Sequence, residues 1–539
     1  MEEDIEKRKK GLKSKLFSWV RDNYDKLFIV ILIAAFIIRL LIFIKTMHQP
    51  LWWDEADYFA TAKKWGLGLN IGDIWYYRRG FLWALIGAAF FKLDLGEIGV
   101  RFLVVLMSTA TVLLSYFIIA KMFNKKLAIL VSLGMLFSWV SLFFTGRILT
   151  DIPATFFLLL ALLFFWKGYV LKEGNKFLYL FGVFFALSLL TRFQMAMFAF
   201  PFLVFILLKE KGKVVKNKHL WITFALFIAV LLPFFVMYWT HYGNIFTDIL
   251  GHYFGVKGVA ETGAYTERTV STLFSYFKDL PYILTTSIFV LFIIGVFIFF
   301  QDMFLGFDKI FKNEEIQKKF FVFLWIIVPF LVLGYITQLV EHRYVLATLP
   351  FLFLMASVSV TKIGDLISKN SQKISKKTIF VFSVIILVLL LIISFGANAP
   401  SNYSFSNTMI DSKLTSYVEV QQAGEWMKQN SEPTDIIISE SRPQITYYSE
   451  RTTYGLGQLG PNETAFEENM SRIKPKYLML SSFEYHENWA YTYPERHNST
   501  LVPVQAYYQN EQPVVVIYRY YPQTSQYSSQ SGNQSSLLA

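Results

Sequence analysis

The sequence predicts a polytopic α-helical membrane protein with a C-terminal α/β domain. Three observations carry that prediction. Of 539 residues, 54% are hydrophobic, more than a water-soluble domain carries. Apolar runs near the length a bilayer core demands recur between residues 27 and 396. Beyond 396 the composition turns polar and Tyr-rich, with short β-like runs.

The elements follow in order. Residues 1–26 hold Lys7, Arg8, Lys9, Lys10, Lys13, Lys15, Arg21 and Lys26, a charged stretch too long for a cleavable signal and expected in the cytoplasm. The first span is Leu27–Ile44, with Arg39 toward its outer end, where it would snorkel or hold an anion. Residues 45–80 form an outer loop with two helical-looking pieces. Gly80–Phe91 is apolar but too short to span comfortably and reads as interfacial or re-entrant. Ten further spans are expected near 98–120, 127–144, 152–170, 176–190, 195–208, 220–240, 283–300, 320–339, 344–360 and 378–396, which makes eleven transmembrane helices. The loops at Lys121–Lys126, Lys167–Lys176, Lys209–Lys218, Lys309–Lys319 and Lys362–Lys377 are Lys-rich, and each falls on the cytoplasmic side in that count. The N-terminus is then inside and the C-terminal domain extracytoplasmic, at a cell membrane. The same loops explain the formal net charge of +12 by orientation, so no nucleic-acid partner is implied.

Residues 397–522 form the outer domain. Strand-like runs at Asp435–Ser439, Tyr477–Leu480 and Val514–Tyr518 and an amphipathic helix near Thr415–Asn430 predict a small α/β fold. Residues 523–539, rich in Ser and Gln, read as a disordered tail. Five Asn-x-Ser/Thr sequons, at Asn402, Asn462, Asn469, Asn498 and Asn533, all follow the last span, in keeping with an outer location. The chain has no cysteine, which excludes disulfides, Cys-ligated zinc and thiol nucleophiles. It shows no internal repeat of the kind that builds many transporters.

The chemistry-bearing residues collect at the outer face. The stretch LWWDEADY, Leu51 to Tyr58, sets Asp54, Glu55 and Asp57 among Trp and Tyr residues that favour the membrane interface. Its bland reading is a wet loop with Asp54 as a helix N-cap. Arg78 and Arg79 precede the short apolar helix, and Arg101 opens the second span. Arg147 and Asp151 stand in GRILTDIP, and Arg192 in LTRFQ. His241, His252, Glu261 and Arg268 lie in the long loop after the seventh span. Glu341, His342, Arg343 and Tyr344 stand in VEHRYVLATLP. Asp151 could be an N-cap, and Arg343 or Arg192 interfacial anchors. His252 has no second His or acid at metal-ligand spacing and reads first as a polar loop residue. Arginines and acids at one depth suit a phosphate-bearing lipid substrate. Arginine forks hold phosphate oxygens, and a carboxylate takes a proton from an attacking hydroxyl.

WWDEADY after the first span, GRILTDIP before the fourth and EHRYVLATLP at the tenth resemble the GT-C type of membrane glycosyltransferase. The likeness is to glycosyltransferase family 39, the dolichyl-phosphate-mannose–protein mannosyltransferases, and to the related bacterial aminoarabinose transferases. It covers residues 27–360 in motif order and topology; the C-terminal domain is similar in placement and general type. The resemblance implies a GT-C fold. It also implies inverting transfer of a sugar, mannose or another hexose, from a polyprenyl- or dolichyl-phosphate donor to an acceptor hydroxyl at the outer face. The acceptor class, protein, glycan or membrane lipid, stays open. On that likeness Asp54 is the catalytic base and Glu55 assists it or binds acceptor. Asp151 is the acid of the second motif, and Arg343 contacts the donor phosphate. His342, Tyr344, Arg192, Arg147, Arg101, Arg78, Arg79 and Asp57 complete a substrate-binding set. His252 falls where the aminoarabinose transferases carry a metal-associated histidine. Their acidic partner before the short helix is replaced by Arg78 and Arg79, so a divalent metal is an open alternative. No cofactor is required, because arginine can neutralise a leaving phosphate.

WWDEADY also looks like the WWDYG motif of oligosaccharyltransferases. That motif belongs to a C-terminal soluble domain, and here the tryptophans follow the first span, so transfer of a whole oligosaccharide is set aside. The rival from another class is a transporter or flippase of the lipid-linked sugar, which gives no reason for an outer α/β domain. A structural scaffold would leave the outer-face charges unexplained.

Overall fold

The structure is a computed structural model that describes residues 24–72, 79–243, 270–337, 340–370, 376–394, 396, 399–485 and 487–522. The expected tail at 523–539 and the residues Arg78, His252, Glu261, Arg268 and Asn533 lie outside them. The chain packs as two compact units, Met1–Gln49 with Trp75–Leu414, and Pro50–Ile74 with Thr415–Ala539. This departs from a single cut at residue 397. The first outer loop belongs by packing to the C-terminal unit, and the segment just after the last span belongs to the helical unit.

The helices are α1 (Tyr24–Thr46), α2 (Trp53–Leu67), α3 (Leu82–Lys92), α4 (Gly96–Met122), α5 (Lys125–Phe137), α6 (Trp139–Thr145), α7 (Asp151–Phe165), α8 (Asn175–Thr191), α9 (Ala199–Glu210), α10 (Lys218–Tyr242), α11 (Thr286–Leu305), α12 (Glu314–Ile336), α13 (Leu349–Asn370), α14 (Lys376–Ile392), α15 (Val418–Gln429) and α16 (Arg442–Ser449), with shorter pieces between them. Every expected span falls on a helix. Among the described residues eight helices are long and apolar enough to cross a membrane, or nine if α5 and α6 are one bent span. Asn175–Thr191 and Thr378–Ile392 are shorter apolar helices. At 1.5 Å per residue, α8 reaches only about 26 Å. The expected short helix is α3, of 11 residues.

Alpha-helix 1 shows how the helical unit is built. Phe28, Ile31, Ala35, Arg39, Ile42 and Thr46 are buried at helical spacing, while Ile29, Ile33, Ile37, Leu41 and Ile44 are about half exposed. A helix apolar outside as well as inside belongs in lipid. Arg39 does not snorkel. It is fully buried and donates to Ser108 Oγ at 2.8 Å, Met135 O at 3.1 Å and Ser141 Oγ at 3.0 Å. The cause is local: α5 and α6 bend by 50° at their junction. The break leaves carbonyls at the end of α5 without helical partners, and Arg39 supplies one with a donor.

Ion pairs gather the Lys-rich loops at one end of this unit. Lys125 meets Asp25 at 2.7 Å, Lys121 meets Glu173 at 2.6 Å, Lys209 meets Glu314 at 2.7 Å, and Lys126 meets Asp365 at 3.8 Å. The segment after α14 also packs within this unit. Asn402 is fully buried, donates to Leu284 O at 2.9 Å and accepts from the Trp139 amide at 3.3 Å. That burial removes Asn402 from the sequons open to glycosylation. Asn498 is exposed, and Asn462 caps the helix Glu463–Ile473.

The C-terminal unit is a five-stranded sheet in the order β2-β1-β3-β5-β4. The strands are β1 (Ile436–Ser439), β2 (Thr452–Tyr454), β3 (Tyr477–Ser481), β4 (Leu501–Gln509) and β5 (Gln512–Tyr520). The first three run parallel and the last two form an antiparallel hairpin. At its turn Asn510 and Glu511 have φ of 48° and 65°, which matches the strand twist of a two-residue hairpin. Alternation sends Ile437, Met479, Val515 and Ile517 to one face, under Val420, Ala423 and Met427 of α15. Ile438 and Leu478 go to the other, against Phe466, Met470 and Tyr493. Sequence reading found three of these strands and missed β2, of 3 residues, and β4, which is largely exposed and lacks a clean alternation.

Alpha-helix 2 docks on this unit along α16. Tyr448 Oη accepts from the Leu51 amide at 2.8 Å. Gln444 Nε2 donates to Leu51 O at 3.1 Å. Lys63 reaches Tyr447 O and Glu450 Oε1, both at 3.0 Å, with its ammonium 4.0 Å above the Tyr447 ring.

Candidate functional site

In the helical unit the sequence-distant motifs converge on Tyr344. The turn His342–Val345 lies between α12 and α13. The Arg192 guanidinium sits 4.4 Å from the Tyr344 ring centre and that of Arg343 at 5.4 Å. Arg192 leaves the end of α8, donates to Thr150 Oγ1 at 2.8 Å and approaches Asp151 Oδ1 at 3.1 Å. That last contact is an ion pair without good hydrogen-bond geometry, since neither Asp151 oxygen makes a hydrogen bond among the described residues. Asp151 is only 1% exposed. It opens the first turn of α7 behind the N-cap position Thr150, so it is not itself the N-cap. Arg343 pairs with Glu341 at 3.4 Å. The result is two guanidiniums about one phenol, backed by two carboxylates. Such a grouping binds an anion and orients it, since planar forks stacked on a ring lose little freedom on bonding.

Beside this cluster His342 hydrogen-bonds Asp279. Its ring lies 4.7 Å from Tyr282 and 5.2 Å from Trp139. Trp139 Nε1 in turn donates to Tyr282 O and Ile283 O at 3.1 and 3.0 Å. Next to it opens a cavity of about 380 Å³ lined by Pro281, Tyr282, Thr285, Thr286, Pro400 and Phe405. Tyr276, whose hydroxyl burial pushes up to about 12, stays neutral and accepts from the Glu341 amide at 3.1 Å. Sequence reading missed Asp279, Tyr282 and Tyr276. The only signal for Asp279 was an acid two residues before a proline in the loop ahead of α11.

Three other predicted arginines lie in the helical unit. Arg101 donates to Glu97 at 2.8 Å, Gln49 O at 2.8 Å, Gly146 O at 3.2 Å and Thr46 O at 3.3 Å. It therefore fastens the end of α1 to the turn before α7. Arg147 is 2% exposed within that turn. Arg79 is half-buried ahead of α3. Among the described residues no group of three or more His, Asp or Glu gathers to hold a metal.

In the C-terminal unit the acidic loop is a helix start. The N-cap position is Trp52, and Asp54 and Glu55 lie in the first turn of α2. Glu55 is fully buried and accepts from the Trp52 amide at 2.7 Å. It is the reaching-back half of a capping box. Asp54 is half-buried and sits one residue ahead of it, where the helix dipole favours the anion. Asp57 is 3% exposed, one turn further along.

Residues 79–239 match a family model described as dolichyl-phosphate-mannose-protein mannosyltransferase. Among the curated proteins none matches. Solved structures do. ArnT from Cupriavidus metallidurans in the apo state aligns with a TM-score of 0.58 and 13% identity over 92% of this chain and 98% of that one. The fold is that of the GT-C membrane glycosyltransferases. ArnT bound to undecaprenyl phosphate aligns with a TM-score of 0.57 and 12% identity over the same shares, 92% and 98%. The archaeal oligosaccharyltransferase AglB from Archaeoglobus fulgidus, in complex with an inhibitory peptide and a dolichol-phosphate, aligns with 0.56 and 14% over 86% of this chain and 70% of that one. The fold does not by itself choose an activity for this chain.

Proposed function

We propose that this chain is an inverting glycosyltransferase. It moves a sugar, mannose or another hexose, from a polyprenyl- or dolichyl-phosphate donor to an acceptor hydroxyl at the outer face of the membrane. The convergence of Arg192, Arg343, Tyr344 and Asp151 from three separate motifs, in a GT-C fold, carries the reading. The similar ArnT and AglB structures hold undecaprenyl phosphate and dolichol-phosphate, which supports a lipid-phosphate donor here. In the proposed reaction the acceptor oxygen bonds to the anomeric carbon from the side opposite the phosphate. The carbon–oxygen bond to phosphate breaks, and its electron pair leaves with the polyprenyl phosphate. Asp54 takes the acceptor's proton as the new bond forms. Arg343 and Arg192 offset the charge that grows on the leaving phosphate. Asp151 holds Arg192 in place. Glu55 has a supporting part, fixing the helix that carries Asp54.

The test is purified full-length protein with a polyprenyl-phosphate-linked hexose. Free polyprenyl phosphate and sugar linked to an acceptor, with inverted anomeric configuration, are expected. Movement of intact donor across vesicles without cleavage would replace this reading with a flippase.

A further inference from the structure

The sheet of the C-terminal unit has a topological switch point. Beta-strand 1 lies between β2 and β3: the chain passes from β1 to β2 on one side and then crosses back over β1 to β3 on the other. Open α/β sheets bind ligands at the carboxyl ends of strands flanking such a point. Here that place is polar. Ser439 ends β1, Ser441 precedes α16, and Ser481 ends β3. All three are buried. Ser441 Oγ donates to Glu484 Oε2 at 2.6 Å and lies 3.3 Å from Ser481 Oγ. Ser481 donates to the same carboxylate, and the Ser441 amide donates to Ser439 Oγ at 3.1 Å.

Two further groups point to a ligand. Glu419 lies in the first turn of α15 and is 7% exposed. One of its carboxylate oxygens has no hydrogen-bond partner among the described residues. The first turn of α15 is at this edge, because the neighbouring Tyr417 packs edge-on to Phe483 at 5.3 Å, while the other end of α15 receives Tyr477, the start of β3, through Asn430 O. Gln444, fully buried, likewise has an oxygen without a partner among the described residues. It lies three residues after Ser441, about 5 Å along the helix. Buried acceptors of this kind cost free energy until a donor reaches them. Tyr485, which follows Glu484 in the chain, is 80% exposed.

We propose that this switch-point edge, built from Ser441, Ser481, Glu484, Glu419 and Gln444, is a saccharide-binding subsite that holds the acceptor. A sugar supplies several hydroxyl donors to carboxylate and serine oxygens, and its C–H face suits the aromatic flank of Phe483 and Tyr485. Gln444 also holds Leu51, so the subsite lies one helical turn from the strand-like lead into α2 and its Asp54. The proposal rests on the glycosyltransferase reading and names its acceptor as a saccharide.

Full-length protein in detergent is tested by ligand-observed NMR with methyl hexosides and a short oligosaccharide, and separately for cleavage of a polyprenyl-phosphate-linked hexose. Wild type should bind a saccharide. Glu484→Gln and Ser481→Ala should each weaken binding about tenfold, the loss of one charge-assisted hydrogen bond. Thermal unfolding selects variants that fold; Ser481→Ala removes one hydroxyl and carries the test if Glu484→Gln does not. No saccharide binding by wild type, equal binding by both variants, or binding of ethanolamine in place of sugar overturns the subsite. Donor cleavage without edge-dependent sugar binding removes the subsite and leaves the transferase. Edge-dependent binding without donor cleavage removes the transferase reading.

Discussion

Tyr344 is the residue on which the proposed donor site turns. Its ring lies against the guanidiniums of both Arg192 and Arg343. An ammonium cannot reproduce that stacking or a two-pronged bond to phosphate. Arg343→Ala should weaken donor binding far more than acceptor binding, and Arg343→Lys should recover only part, measured as Kd for polyprenyl phosphate. Equal donor affinity in both variants would make Arg343 an anchor. The acids of α2 divide by a similar test. Asp54→Asn should keep donor binding and lower turnover by about 100- to 10,000-fold. Glu55→Gln retains an oxygen for the Trp52 amide, so it should stay close to wild type, whereas Glu55→Ala should loosen the helix start. A dead Glu55→Gln beside an active Asp54→Asn would reverse the assignment. The acids of WWDEADY were legible in the sequence, but their division of labour was not. Tryptophan is not an ordinary N-cap residue, so the bland reading of the sequence offers Asp54 as the cap, whereas the oxygen that meets the Trp52 amide comes from Glu55.

At the scale of elements, apolar length marked the spans well and orientation within them poorly. Arg39 lies at helical spacing from Ala35, Ile42 and Thr46, which are all buried. With isoleucine and leucine on every side, no face of α1 stood out in the sequence. The bend between α5 and α6 was hidden for the same reason, since a single Ser138 marks it. Arg39→Met should remove the donor to Met135 O and cost about 3 kcal/mol, read as a lower unfolding temperature in detergent; an unchanged temperature would show that the bend satisfies itself. The docking of α2 carries a pH dependence. Glu450 meets Lys428 at 2.7 Å and Lys63 at 3.0 Å. Burial raises its carboxyl pKa, but the hydrogen bonds and charges of Lys428 and Lys63 outweigh burial and hold it below the ordinary 4.5. A depressed value means the folded state favours the anion. The contribution is therefore full above 4.5 and is lost as pH falls below that value through the folded pKa. Wild type should be more stable than Glu450→Gln at neutral pH, and the two should converge in acid. A gap that persists unchanged would place the effect elsewhere.

The molecule as a whole was legible as a helical membrane unit followed by an α/β unit, but not in how the chain shares itself between them. That residues 50–74 fold with residues beyond 415 depends on contacts nearly 400 residues apart, such as Leu51 with Tyr448, and no local pattern records them. The charge alternation was more informative. It assigned the Lys-rich loops to one side, and ion pairs such as Lys121–Glu173 and Lys209–Glu314 bring them to one end of the helical unit. The ends carrying Arg101 with Thr46 and Gly146, and Arg192 with Asp151, belong to the alternate loops. Lysines near short loops resist translocation, so the Lys-rich end is expected in the cytoplasm and the C-terminal unit outside. The absence of cysteine makes this directly measurable. Lys369→Cys and Glu425→Cys, both exposed positions, each introduce a single thiol. In intact cells a membrane-impermeant maleimide should label Glu425→Cys, and it should label Lys369→Cys only after permeabilisation. Labelling of both from one side would break the odd count of crossings between the basic N-terminus and the C-terminal unit, and with it the outer-face location of the proposed reaction.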